Sequence, residues 1–136
     1  MNRRRRKKLS RRLVEAAASG DVTRLDLLLR AGACPHTSDA DGTTPLYAAS
    51  VQGATDSVLR LLEAGASPDA ESGHGSEGTP LCAAACWGST ATVRALLAHG
   101  ADPRLREDHG TGRSPLEWAR TGPYPETIAV LLAAGA

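Results

Sequence analysis

The chain has 136 residues, 41% of them hydrophobic but only 3% aromatic, with no Phe, two Trp and two Tyr. A domain of that length must build its core from Leu, Val and Ala, which bury little area each, so its stability has to come from summing many neighbour interfaces. No run of about 18 apolar residues occurs, the length a membrane-crossing helix needs, and no apolar segment follows the basic start as a secretory signal would require. The formal net charge of +1 is unevenly laid out, because Arg3, Arg4, Arg5, Arg6, Lys7, Lys8, Arg11 and Arg12 supply 8 of the 16 basic residues. The remainder carries 8 basic against 15 acidic groups, a net of −7, so a cationic arm is joined to an acidic body. Three cysteines are an odd number, unlike a disulfide framework. A reducing compartment follows: the cytoplasm, or the nucleus in a eukaryote.

Residues 1–8 hold a single apolar residue, Met1, and are expected to be a disordered basic arm. From Leu9 a helical pattern begins, with Leu13, Ala16 and Ala17 on one face, and Gly20-Asp21 breaks it. Leu25, Leu28 and Leu29 mark a second helix over roughly 22–30. Gly32 stops that helix as a C-cap, where only a residue without Cβ takes positive φ cheaply. Residues 34–43 form a turn-rich connector with Asp41-Gly42 near its tip. Thr44-Pro45 then opens a new helix, Thr as N-cap and Pro at the first helical position, where its missing N–H costs nothing. Leu46, Ala48 and Ala49 belong to this inner helix, and residues 56–63 make the outer one. The next connector, 67–78, is longer, carries Gly73, Gly75 and Gly78, and is expected to be the most mobile ordered segment.

These parts repeat. Thr44-Pro45-Leu46 returns as Thr79-Pro80-Leu81 and as Ser114-Pro115-Leu116, two steps of 35 residues. The glycines Gly20, Gly53, Gly88 and Gly122 step by 33, 35 and 34, and Gly32, Gly65, Gly100 and Gly135 by 33, 35 and 35. Leu pairs precede each of the latter: Leu28/Leu29, Leu61/Leu62, Leu96/Leu97 and Leu131/Leu132. The chain is a repeat protein of four units, about 9–42, 43–77, 78–112 and 113–136. The first unit has Arg11-Arg12-Leu13 where the others have Thr-Pro-Leu, as terminal repeats often differ.

Over residues 9–136 the sequence resembles the ankyrin repeat family, on Gly42-Thr43-Thr44-Pro45-Leu46, Gly112-Arg113-Ser114-Pro115-Leu116, Ala64-Gly65-Ala66 and Gly100-Ala101-Asp102. It departs from the family where the usual His is Tyr47, Cys82 and Glu117, and where Trp118 replaces the Ala of Ala48 and Ala83. The resemblance implies an all-α solenoid of helix-turn-helix units with hairpin-like connectors. Its connector tips and concave inner-helix surface would bind another protein, without catalysis.

On that surface Tyr47 and Trp87 are the expected anchors, Trp87 at the groove rim, since aromatics are enriched in binding hot spots. Trp118 is expected in the core. Asp39, Asp41, Glu71 and Glu77 would make the tips acidic and favour a basic partner. Cys82 and Cys86 lie four apart on one helix face but lack the further donors zinc needs, so they read as packing residues. Gly73-His74-Gly75 lacks the Lys-Ser/Thr of a phosphate loop, and Asp39 and Asp41 lack the later Glu of a calcium loop. No nucleophile sits beside an oriented base. No metal, cofactor or catalytic residue is therefore expected. As an alternative, Arg3, Arg4, Arg5, Arg6, Lys7 and Lys8 could contact nucleic acid or direct nuclear import, with the repeats recruiting a partner. The apolar last helix, with Ile128, Val130, Leu131 and Leu132, is open to self-association.

Overall fold

The computed structural model describes residues 1–74 and 76–136. Gly75, one of the three glycines behind the expected mobility of the second connector, lies outside them. The described residues form eight α-helices: α1 (Arg3–Ser19), α2 (Val22–Arg30), α3 (Pro45–Gln52), α4 (Thr55–Glu63), α5 (Pro80–Cys86), α6 (Thr90–Ala98), α7 (Pro115–Ala119) and α8 (Pro125–Ala133). The odd-numbered inner helices pack on one another in succession, and the even-numbered outer helices do the same. The result is an all-α solenoid two helices deep. None of the described helices is long and apolar enough to cross a membrane.

The inner helices start where the sequence says they should. Thr44, Thr79 and Ser114 are N-caps in extended conformation, each hydroxyl accepting the N–H three residues on, from Tyr47, Cys82 and Glu117, at 3.2 Å. Proline follows at the first helical position each time. The core runs continuously through the units: Leu13, Leu25, Leu61, Leu81, Leu96 and Leu131 are fully buried, with Val58 and Val93 between them. Each such Leu contributes about 1.5–3 kcal/mol of transfer free energy.

The N-terminal arm departs from expectation. It is not disordered: α1 begins at Arg3 and runs 17 residues to Ser19, against 8 for α3 and 7 for α5. The cause is local. With Arg11-Arg12 where the other units have Thr-Pro, nothing stops the helix from propagating backwards. Arg and Lys are good helix formers, and Asn2 caps the far end by accepting Arg5 N–H at 2.8 Å. Leu9 and Ser10 anchor the extension, Ser10 Oγ donating to Thr37 Oγ1 of the first connector at 2.7 Å.

A hydroxyl ladder runs along the outer helices. Thr55 and Thr92 meet through their hydroxyls at 3.0 Å, and Thr90 and Thr127 at 2.7 Å. Ser57 holds the position of Thr92 and Thr127 one unit earlier, but its expected partner position is Val22, which has no hydroxyl. Ser57 Oγ is accordingly buried without a hydrogen-bond partner among the described residues.

The fourth unit packs differently. Its inner helix has only five residues, and Trp118 is half-buried at the edge of the core rather than inside it. The Tyr124 ring fills space against the backbone of Gly88 in the unit before and Gly122 in its own. On α8, Leu131 is buried, Ile128 and Val130 are half-buried, and Leu132 is 48% exposed.

Candidate partner-binding surface

The connectors project beside the N-terminal ends of the inner helices, and hydrogen bonds tie them to one another. Gly73 N–H donates to Gly42 O at 2.8 Å, joining the first connector to the second. Thr43 Oγ1 donates to both Glu77 oxygens, at 2.9 and 3.1 Å. Ser72 Oγ donates to Glu77 Oε1 at 3.0 Å while accepting Thr44 N–H at 2.9 Å. An antiparallel bridge pairs Ser72 with Gly78 at the base of the second connector. The second connector is joined to the third, residues 102–113 between α6 and α7, by His109 N–H donating to Glu71 Oε1 at 2.7 Å and by Asp102 N–H donating to Asp69 Oδ1 at 2.9 Å.

Most of the expected acidic anchors therefore serve the scaffold. Asp39 is a turn builder whose Oδ1 accepts the N–H groups of Asp41 at 2.9 Å and Thr43 at 3.0 Å. Glu71 and Glu77 hold neighbouring connectors together. Asp41 alone of the four lies exposed. Tyr47 is half-buried on α3, near enough to Glu77, Glu107, Cys82 and Cys86 to feel them. Burial first, then the Glu77 and Glu107 charges, push its phenol above its ordinary pKa, so it is held as a hydroxyl donor. Trp87, at the C-cap of α5, is 63% exposed and sits at the opposite end of the inner helix from the tips. The expected residues thus fall into a tip cluster and a separate rim aromatic.

Glu107, Arg113 and Trp118, which sequence reasoning did not join to this surface, form a further polar group on it, with Glu107 buried, Trp118 half-buried and Arg113 exposed. Glu107 is 9% exposed, and Trp118 Nε1–H donates to its Oε1 at 2.8 Å. The Arg113 guanidinium lies 4.8 Å from the Trp118 ring centroid, a cation–π distance. Burial raises the Glu107 pKa, the Trp118 N–H opposes that, Asp108 and Glu71 raise it further, and Arg113 lowers it. The 35-residue step carried a usable signal, because it sets Glu107 in register with Ser72. Both residues open the hairpin base of their connector, Glu107 N–H donating to Arg113 O at 3.1 Å as Ser72 N–H does to Gly78 O at 2.8 Å. Beside Glu107, Asp108 and His109 take left-handed φ of 53° and 54°, a conformation that costs a non-glycine residue about 1–2 kcal/mol.

The thiols belong to packing. Cys82 is buried, its Sγ 3.6 Å from Arg113 O, and burial pushes its pKa up to about 12. Cys86 is half-buried, Cys34 is exposed, and all three are free.

Comparison with known proteins agrees with this architecture. The family model for the ankyrin repeat matches residues 41–72 and 77–108. The chain is an ankyrin repeat protein. The two matches cover the second and third units and leave nearly all of the first and fourth outside, where the 17-residue α1 and five-residue α7 depart from the interior pattern. A stretch of 54 residues is 44% identical to Potassium channel KOR1 of Oryza sativa subsp. japonica, which spans 40% of this chain but 6% of that protein. Ankyrin repeats are in general non-catalytic modules for protein–protein interaction.

Proposed function

We propose that this ankyrin repeat protein is a non-enzymatic binding module that holds a protein partner across its connector tips and the facing inner helices. The supporting observation is the cross-bonding of the three connectors, from Gly42 and Thr43 through Glu77 and Glu71 to His109. Loops already fixed to one another lose little freedom on binding, and affinity rises when ordering costs fall. Tyr47 supplies a phenol donor beside the tips, and exposed Trp87 a rim anchor. Three free thiols suit a reducing compartment, so the cytoplasm is the proposed location.

Affinity capture from the native cell tests the reading, comparing the intact chain with Tyr47→Ala, Trp87→Ala and a deletion of residues 3–8. One protein should co-purify with the intact and arm-deleted chains. Each aromatic substitution should weaken its binding about 30-fold, the scale of a 2 kcal/mol hot spot. Equal retention by both aromatic variants would remove this surface from the interaction.

A further inference from the structure

The basic arm is a built feature of α1, and its geometry carries a reading independent of the protein-binding one. We propose that the N-terminal turns of α1 dock on the sugar-phosphate backbone of duplex nucleic acid. The cations line both flanks of the helix. Arg4, Lys7 and Arg11 line an open cleft of about 1170 Å³ between α1 and the first connector. Arg5 and Arg12 line a second, of about 600 Å³, beside Leu28 and Ala31, and Arg4 and Lys8 border both clefts.

The carboxylates that share the first cleft are mostly committed elsewhere. Glu15 is within 3.7 Å of Arg11 and 3.9 Å of Arg24, and Asp39 is turned into its own connector. Asp41 remains exposed at the edge. Among the described residues Arg3, Arg4, Arg5, Lys7, Lys8 and Arg12 form no ion pair.

This arrangement also breaks two local rules at once. Helix N-termini favour acidic residues because of the positive end of the dipole, yet the first turn of α1 carries no acidic residue and begins with four arginines. Like charges at i and i+4 repel, and Arg3/Lys7, Arg4/Lys8, Lys7/Arg11 and Lys8/Arg12 are four such pairs. Local rules broken within an otherwise consistent fold mark functional positions. A bound polyanion relieves both conflicts together.

The shape selects among polyanions. A helix about 10–12 Å across fits a major groove about 12 Å wide, which puts a phosphate strand along each flank. Residues 3–8 include no aromatic to stack on unpaired bases and no apolar side chain to enter a bilayer.

The test is fluorescence anisotropy of the full chain with a labelled random-sequence 20-base-pair duplex, from about 50 to 300 mM NaCl. The logarithm of affinity should fall linearly with that of salt, with a slope of about −4 to −6 at roughly −0.9 per phosphate. The triple variant Arg4→Gln/Lys7→Gln/Lys8→Gln should flatten the slope by about 3, and Arg4→Lys should leave it unchanged. Because these side chains are exposed, matching far-UV circular dichroism will show the fold intact. Binding that the triple variant does not weaken would overturn the proposal. So would displacement of the duplex by poly-glutamate at equal charge, or tighter binding to single strands or anionic vesicles.

Discussion

At its N-terminal end the solenoid carries an inner helix of 17 residues that begins with a run of basic residues. At its C-terminal end the inner helix has five residues, and the space it leaves is filled by the rings of Trp118 and Tyr124. Between them the interior units repeat almost without change. The difference teaches what sets the length of an inner helix here. A Thr-Pro or Ser-Pro start fixes the beginning in three units, and where it is missing the helix runs on until an asparagine caps it. In the fourth unit the inner helix stops after five residues, and the Tyr124 ring packs against the backbone of Gly88 and Gly122.

Two glycines break or sharpen that contrast with the largest expected effect. Gly88 and Gly100 both have positive φ, 65° and 91°, so alanine is strained at either. A Cβ at Gly100 meets nothing within 4 Å, whereas one at Gly88 runs into the Tyr124 ring. Gly100→Ala should cost about 1–2 kcal/mol from strain alone. Gly88→Ala should cost a further 1–3 kcal/mol, roughly, for overpacking. Urea unfolding measures both. Adding Tyr124→Ala should return the excess, as expected of residues in contact. Equal costs for the two alanines would mean that Tyr124 does not close the C-terminal end.

The hydroxyl ladder gives the middle-sized effect. It is complete toward the C-terminal end, through Thr90 and Thr127, and broken at the N-terminal end, where the repeat register assigns Val22 as the partner position of Ser57, whose Oγ has no partner among the described residues. Val22→Thr should supply the missing partner and stabilise by about 0.5–1.5 kcal/mol, the net worth of one hydrogen bond. Thr127→Val should destabilise by a similar amount at the other end. In the Ser57→Ala background the gain from Val22→Thr should vanish. A neutral Val22→Thr would show that Ser57 finds water or another partner.

How much of this the sequence revealed depended on the range of the interaction. The units, the N-caps at Thr44, Thr79 and Ser114 and the glycine stops are local signals that the structure repeats. The arm was misread because charge density argued for disorder, while helix propensity, the Asn2 cap and the anchors Leu9 and Ser10 argue the other way. Asp39 looked like an outward charge although its partners, the N–H groups of Asp41 and Thr43, are local, whereas the partners of Glu71 and Glu77 are distant in sequence. Glu71 bonds His109 38 positions away, and Glu77 bonds Thr43 34 away. Only the unit-to-unit register brings such residues together, and the same register sets Glu107 opposite Arg113 as Ser72 is opposite Gly78.

Glu107 supplies the smallest effect and the one with a pH signature. The folded state holds its proton more tightly than the unfolded chain, because burial raises its pKa above the ordinary 4.5. Ionised Glu107 therefore costs stability at neutral pH. That cost disappears as pH falls through the raised folded value, and it is gone below about the unfolded value. Glu107→Gln keeps an oxygen acceptor for Trp118 Nε1–H and removes the charge. Its melting temperature should exceed that of the wild type at pH 7 by a few degrees at most, and the two should converge near pH 4. Trp118→Phe has the opposite sign, since it deletes the donor that favours the carboxylate. Its deficit relative to the wild type should be larger at pH 7 than at pH 4. A Trp118→Phe deficit independent of pH would reduce the indole to a packing group and leave Glu107 without its stabilising contact at the end of the solenoid where aromatic rings replace the helix.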